Sequence, residues 1–154
     1  MAAEQAIPIS TRKVIVIHTR TIPQGVAAML AFDPEGSEED NTSAMKEAMK
    51  NVTTAKLTFA ARDSSFDGKD IKEGQILGLI ENDVKYVCDS REECLKNVAE
   101  DIKDRDYITL FYGEGIDEEE ANAAAEVIKE VIGDVEVMVV NGGQPVYYYL
   151  ISAE

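Results

Sequence analysis

The sequence predicts an α/β fold: a mixed sheet of about six or seven strands, with an antiparallel meander in its middle and helices packed on it. Units of strand, helix and strand occur on both sides of the central region. That central region, residues 53–88, contains short apolar runs separated by turn signals, which is typical of a meander. The 154 residues are enough to bury a core without disulfides or a structural metal.

A buried strand and a capped helix are predicted in the first forty residues. Residues 14–17 are all β-branched, which is typical of a central strand buried on both faces. Thr21 stands at the N-cap position of a helix that begins at Ile22, and Gln24 completes a capping box. This helix is apolar nearly all round, so its own protein or a partner is expected to cover it.

Polar residues of the stretch 18–24 therefore collect between the end of a strand and the start of a helix. In open α/β sheets ligands tend to bind at this place, and Arg20 adds a positive charge. The alternative is that Arg20 is solvated while Thr21 and Gln24 only cap the helix. For His18 we expect a packed, hydrogen-bonded imidazole, because it follows a buried strand.

The middle of the chain contains a stretch that has to be weighed as a calcium site. Residues 53–62 alternate between apolar and polar types, which predicts a half-exposed strand. Residues 63–74 then align in part with a calcium-binding loop, but the twelfth position is Gly74 where a bidentate glutamate is needed. We therefore interpret Asp67-Gly68 as a turn between strands and predict no metal site.

Regular elements fill the rest of the chain. Three further helices are predicted after the N-caps Ser37, Ser90 and Asp117, and the last of them ends at Gly133. Further strands are predicted at residues 76–80, 84–88, 107–112, 134–140 and 146–152.

The charge of the chain restricts its partners. Fifteen basic residues against thirty acidic residues give a formal net charge of −15, with no basic cluster to neutralise phosphates. We therefore expect no nucleic-acid partner and no membrane insertion, and either a solvated acidic surface or steering toward a basic partner protein. Cys88 and Cys94 are expected to be reduced and packed, and the N-terminus lacks the pattern of a signal peptide, so we expect a cytoplasmic protein.

The residues give no sign of an enzyme. His18 is the only histidine, and neither a nucleophile elbow nor a phosphate loop is found. Gly113-Glu-Gly115 follows a predicted strand, but the four carboxylates of residues 117–120 would repel a pyrophosphate. We therefore predict an acidic binding or interaction domain without a catalytic residue or cofactor of its own.

Four motifs in order nevertheless resemble a known family. They are residues 21–34, residues 62–74, Tyr112-Gly-Glu114, and residues 142–152 beginning Gly-Gly-Gln-Pro. Together they resemble the C-terminal domain of the dihydroxyacetone kinase-like family, formerly described as phosphatases, which includes the ATP-binding subunit of bacterial fatty acid kinase.

The resemblance implies a fragment of a longer protein. In that family a separate N-terminal domain binds ATP and magnesium, and nothing in this sequence matches it. Residues 1–6 would then be the remnant of a preceding helix, and residues 7–154 a single C-terminal domain that also contacts other domains of its parent chain.

As a function, the resemblance implies docking of the fatty-acid-binding protein that presents an acyl carboxylate for phosphorylation. The polar residues predicted to make contacts are Arg20, Thr21, Gln24, Arg62 and Gln144. The alternative is a regulatory domain that holds an anion or acyl group between the helix beginning at Ile22 and the Gly142-Gly143 turn. A hydrolase that acts through carboxylates is a third possibility.

Overall fold

The chain divides into two compact units, Met1–Val52 and Thr53–Glu154, in a computed structural model that describes residues 2–66 and 68–154. The first unit is built from helices. These are α1 (Ala2–Gln5), a short 3-10 helix (Ile7–Ile9), α2 (Ile22–Leu30) and α3 (Glu38–Lys50). No helix in the described ranges has the length and apolar character needed to cross a membrane.

Asn41 fixes the connection between α2 and α3. Its side-chain oxygen accepts a hydrogen bond from the Asp33 backbone N–H (2.7 Å), and its amide donates to the carbonyls of Asp33 (2.8 Å) and Gly36 (3.2 Å). Asn41 is itself buried, and these bonds use both ends of its amide group. The two helices pack against each other, and the Asn41 side chain holds the loop between them in place.

The predicted buried strand at residues 14–17 is wrong. This stretch has no regular secondary structure, and Ile15 is 44% exposed. β-branched residues favour an extended backbone, but a strand also needs a partner for its ladder, and no strand is assigned among the described residues of the first unit. The expectation for His18 is also wrong, because its side chain is 58% exposed and lies 3.5 Å from a carboxylate oxygen of Glu4.

Eight strands and two helices form the described part of the second unit. They are β1 (Thr53–Phe59), β2 (Ser64–Phe66), β3 (Lys69–Ile71), β4 (Ile76–Ile80), β5 (Asp83–Cys88), α4 (Arg91–Asp101), β6 (Tyr107–Tyr112), α5 (Glu118–Ile132), β7 (Glu136–Asn141) and β8 (Tyr149–Ala153).

The main sheet has six strands in the described residues, in the order β5-β4-β1-β8-β6-β7. Only β6 and β7 pair in parallel, with α5 as the crossover, and the other neighbours are antiparallel. The predicted mixed α/β sheet is confirmed, and its meander is β1-β4-β5. β2 and β3 form a separate hairpin whose turn includes Gly68 (φ 75°), while Asp67 lies outside the described residues.

One face of the sheet carries the hydrophobic core, against which α4 and α5 pack. Its largest fully buried side chains include Leu57, Leu110, Ile128 and Ile151. Cys88 and Cys94 are free thiols within this core, and burial raises the pKa of the Cys94 thiol. The expectation that both cysteines are packed is therefore confirmed.

The other face of β1 is polar yet buried, so the predicted half-exposed strand is wrong. Thr54 is 0% exposed, and Lys56 and Thr58 are each 8% exposed. The Lys56 ammonium donates to Asn82 Oδ1 (2.7 Å), and the Thr58 hydroxyl donates to the Val146 carbonyl (2.8 Å). Because loops distant in sequence supply these partners, polar side chains are tolerated in a central strand.

Candidate functional site

Two of the predicted contact residues, Thr21 and Gln24, meet at the start of α2. Thr21 Oγ1 accepts a hydrogen bond from the Gln24 backbone N–H (3.3 Å), and Gln24 Oε1 accepts one from the Arg20 backbone N–H (3.0 Å). Thr21 is buried, whereas Arg20 is exposed. Thr21 and Gln24 therefore both take part in capping α2, which leaves the side chain of Arg20 as the accessible group.

Beyond its cap, α2 presents an exposed apolar surface. Ile22 is 64% exposed, Val26 41%, Met29 74% and Leu30 82%. Their spacing places them on one face of the helix, which we call the α2 apolar face. None of the nine residues of α2 carries a charge. Single exposed apolar residues are common on protein surfaces, whereas large contiguous apolar patches are typical of interaction sites.

The other predicted contact residues, Arg62 and Gln144, belong to the second unit. Arg62 is exposed between β1 and β2. Gln144 is half-buried, and its amide donates to the carbonyls of Phe111 (3.0 Å) and Tyr147 (3.4 Å). Gln144 thus holds its own loop against β6.

The same loop approaches Gly113 so closely that no side chain fits there. A Cβ atom built on Gly113 would lie 2.1 Å from the Tyr147 carbonyl oxygen. Gly143 has a φ of 58°, a conformation that glycine adopts without strain. The glycines of this region therefore meet the steric demands of a tightly packed turn.

A cleft between α4 and α5, called here the α4–α5 cleft, was not predicted from the sequence. Its volume is about 320 Å³, and its lining residues are Arg91, Glu92, Leu95, Glu120, Ala123, Ala124, Val127 and Tyr149. Arg91 Nη2 lies 2.8 Å from Glu120 Oε1, and the Arg91 guanidinium lies 5.0 Å from the centre of the Tyr148 ring. The arginine thus joins the first turns of two helices and contacts the segment before β8.

Tyr149 forms part of the base of this cleft. Burial, and then the negative charge of Glu120, raise the pKa of Tyr149 to about 12, so its phenol is protonated at neutral pH. In residues 2–66 and 68–154, no group of three or more His, Cys, Asp or Glu side chains is arranged to hold a metal ion.

Comparison with known proteins places the chain among bacterial relatives. The FakA-like C-terminal family model, which describes the C-terminal part of fatty acid kinase A-like subunits, matches residues 1–154. Protein YloV of Bacillus subtilis (strain 168) is 35% identical over 156 residues, which cover 100% of this chain and 28% of the relative. An uncharacterized protein of Staphylococcus haemolyticus has the same identity and coverage. The chain thus spans 28% of the length of the curated relatives that it matches.

Solved structures with a similar fold belong to the DegV family. One is a DegV family protein from Ruminococcus gnavus, refined with vaccenic acid, with a TM-score of 0.61 and 12% identity over 99% of this chain and 64% of that one. Another is a fatty acid binding DegV family protein from Streptococcus agalactiae, with a TM-score of 0.58 and 13% identity over 98% of this chain and 64% of that one. At these identities the likeness shows a shared fold.

Proposed function

We propose, given that this chain belongs to the FakA-like C-terminal family of fatty acid kinases, that it is a non-catalytic domain that docks a fatty-acid-binding protein. The docked protein would present its acyl carboxylate to an ATP-binding domain elsewhere in the parent chain. Phosphoryl transfer itself would need no residue of this domain. Its contribution would be to hold the two proteins together in a fixed orientation.

The observation that carries this proposal is the α2 apolar face. Fully burying one large aliphatic side chain stabilises an association by about 1.5–3 kcal/mol before the costs of association are subtracted. Four such side chains on one capped helix form a preorganised contact surface. A helix without charges fits an apolar groove of its partner, which is a common mode of helix recognition.

The proposal is tested by titration calorimetry with the purified fatty-acid-binding protein of the same bacterium, loaded with fatty acid. We expect the double variant Met29→Gln, Leu30→Gln to bind at least about tenfold more weakly, because glutamine keeps the helix but removes apolar contact area. The control is Met138→Gln, which alters an exposed methionine of β7 (58% exposed) and should change the affinity less than about twofold. Unchanged binding by the double variant would rule out docking through α2.

Charged contacts are tested in the same titration with the double variant Arg20→Ala, Arg62→Ala. Both arginines are exposed, so their removal should leave the fold intact. We expect several-fold weaker binding and a smaller dependence of the affinity on salt, because exposed charges act through screened electrostatics. An affinity equal to that of the wild type would show that neither arginine contributes to binding.

The alternative, a regulatory domain for a small anion or acyl group, makes a different prediction. A ligand that binds only the folded state raises the melting temperature of the chain in the absence of any partner protein. A melting-temperature screen with inorganic phosphate, ATP and oleate therefore separates the two functions. A rise with one of these compounds, together with no binding of the fatty-acid-binding protein, would favour the regulatory function.

A further inference from the structure

The α4–α5 cleft contains a tyrosine hydroxyl that has no protein partner in the described residues. Tyr149 is 2% exposed and lines the cleft, and the structure gives its hydroxyl no hydrogen bond to any described residue. No buried side-chain nitrogen or oxygen in the described residues lacks a hydrogen bond, so the unpaired Tyr149 hydroxyl is open to the cleft, from which a partner can reach it. The Tyr149 hydroxyl therefore indicates where a ligand with a polar end would bind.

The walls of the cleft select for an aliphatic group. Leu95 (2% exposed), Ala124 (6% exposed) and the half-buried Val127 provide apolar surface beside Tyr149. A chain of methylene groups packed on these side chains is removed from water, and each buried CH₂ group favours binding.

The charges at the rim select for a cation. Among the lining residues, Arg91 is paired with Glu120 (2.8 Å), and Glu92 is paired with Lys96 one turn further along α4 (2.6 Å). Asp117, the N-cap of α5, adds a negative charge that also acts on Tyr149, less strongly than the positive charge of Arg91 does. Three carboxylates thus stand against two cations, and this excess of one negative charge favours a positive group over a carboxylate or phosphate.

We propose that the α4–α5 cleft binds an arginine or lysine side chain of a partner protein, with its aliphatic part against Leu95 and Val127 and its charged end at Glu120 and the Tyr149 hydroxyl. Both groups accept hydrogen bonds from a guanidinium or ammonium. The chain's formal charge of −15 would also attract a basic partner surface over distance. This inference goes beyond the proposed function and does not depend on the α2 apolar face.

The test is a nuclear magnetic resonance titration of the whole chain with the peptide acetyl-Leu-Arg-Leu-amide. We expect saturable shifts of backbone amide signals from the cleft residues of α4 and α5. The same peptide with citrulline in place of arginine, which has the same shape without the charge, should bind at least about tenfold more weakly. Equal binding of acetyl-Leu-Glu-Leu-amide, or no saturable shift at the cleft with the arginine peptide, would overturn the proposal.

Variants of the cleft identify the groups involved. Glu120→Gln should weaken binding of the arginine peptide about tenfold, while Glu126→Gln should not, because Glu126 is an exposed acid of α5 that pairs with Lys129 and does not line the cleft. Tyr149→Phe removes only the hydroxyl, and we expect binding about threefold weaker. Wild-type affinity of Glu120→Gln would overturn the assigned geometry.

Blocking the cleft provides a test that does not disturb the core. Ala123 is exposed on α5 and lines the cleft, so Ala123→Leu should keep the helix while filling the opening and abolishing the peptide shifts. Unchanged peptide binding by Ala123→Leu would contradict binding in the cleft. If agmatine, a free alkyl guanidine, bound much more tightly than the peptide, the ligand would be a free amine and the assignment to a partner protein would be overturned.

Discussion

At the scale of single residues, two tyrosines have hydroxyl groups whose surroundings oppose ionisation. Burial raises the pKa of Tyr86 to about 12, helped by the hydrogen bond that its hydroxyl donates to Asp101 Oδ2 (2.9 Å). Burial also raises the pKa of Tyr149 to about 12, helped by the charge of Glu120. The ordinary value for tyrosine is about 10. Both phenols therefore remain hydrogen-bond donors well above neutral pH.

These shifts predict a stability change in alkali. Between about pH 10 and 12 the folded chain retains two protons that the unfolded chain releases, so from these two groups the free energy of unfolding falls as the pH rises. A spectrophotometric titration should show Tyr86 and Tyr149 ionising well above the ordinary tyrosine pKa of about 10. Tyr86→Phe should remove one of the two late ionisations, and ionisation of all tyrosines near pH 10 in the folded chain would contradict the prediction.

At the scale of elements, the helix caps follow directly from the sequence. The predicted caps Thr21, Ser37, Ser90 and Asp117 are all confirmed, and each side chain accepts a hydrogen bond from the backbone N–H three residues later. A cap is predictable because its donor and acceptor lie within one turn of chain. The end of α5 at Gly133, with a φ of 93°, is confirmed for the same local reason.

Substitutions of Asp117 can distinguish the stabilising effect of its capping hydrogen bond from the effect of its negative charge. Its Oδ1 accepts from the Glu120 backbone N–H at 2.8 Å. Asp117→Ala should lower the free energy of unfolding by about 0.5–2 kcal/mol, measured by urea denaturation. Asp117→Asn keeps an acceptor oxygen and should recover most of this loss. If the two variants were equally destabilised, the charge at the helix terminus, and not the hydrogen bond, would be the important contribution.

Elements whose partners are distant in sequence are predicted less well. Residues 14–17 have the composition of a central strand, but composition does not reveal whether a neighbouring strand exists. The polar side of β1 resembles a solvent-facing side in the sequence, yet it is buried, and Asn82 and Val146 accept hydrogen bonds from its polar side chains. Both errors have the same origin, since the deciding contacts join residues far apart along the chain.

The candidate site likewise has a part that is local in sequence and predictable, and a part that depends on distant contacts. Thr21 and Gln24 were predictable as a polar pair because they belong to one helix start. The α4–α5 cleft requires Arg91 from one helix, Glu120 from another and Tyr149 from a strand. Within its own segment none of these residues forms a recognisable motif, and Glu120 resembles the other acids in the first turn of its helix. Their convergence follows from the packing of α4 against α5.

At the scale of the whole molecule, the second unit contains the entire described core cluster. Every core residue, from Ala55 to Ala153, lies within Thr53–Glu154. The first unit buries few apolar side chains, among them Ala27, Ala28 and Val52. The two units therefore have very different amounts of apolar surface with which to offset the entropy cost of folding.

This difference predicts that residues 53–154 fold without the rest of the chain. A fragment of these residues should unfold cooperatively on heating and keep the circular dichroism of a mixed α/β protein. Residues 1–52 alone should show a broad transition without a defined midpoint. A disordered 53–154 fragment would contradict the division into units, and the matched control is the intact chain measured under the same conditions.

The position of β8 affects when the sheet can be completed during synthesis of the chain. β8 lies between β1 and β6, so it joins β5-β4-β1 to β6-β7, and its residue Ala153 pairs with Thr53. At a synthesis rate of about 5–20 residues per second, the ribosome needs roughly 5–20 s to make the chain between these two residues. During that interval β1 lacks its neighbour and has one edge open, and newly made chains are then most exposed to pairing with one another.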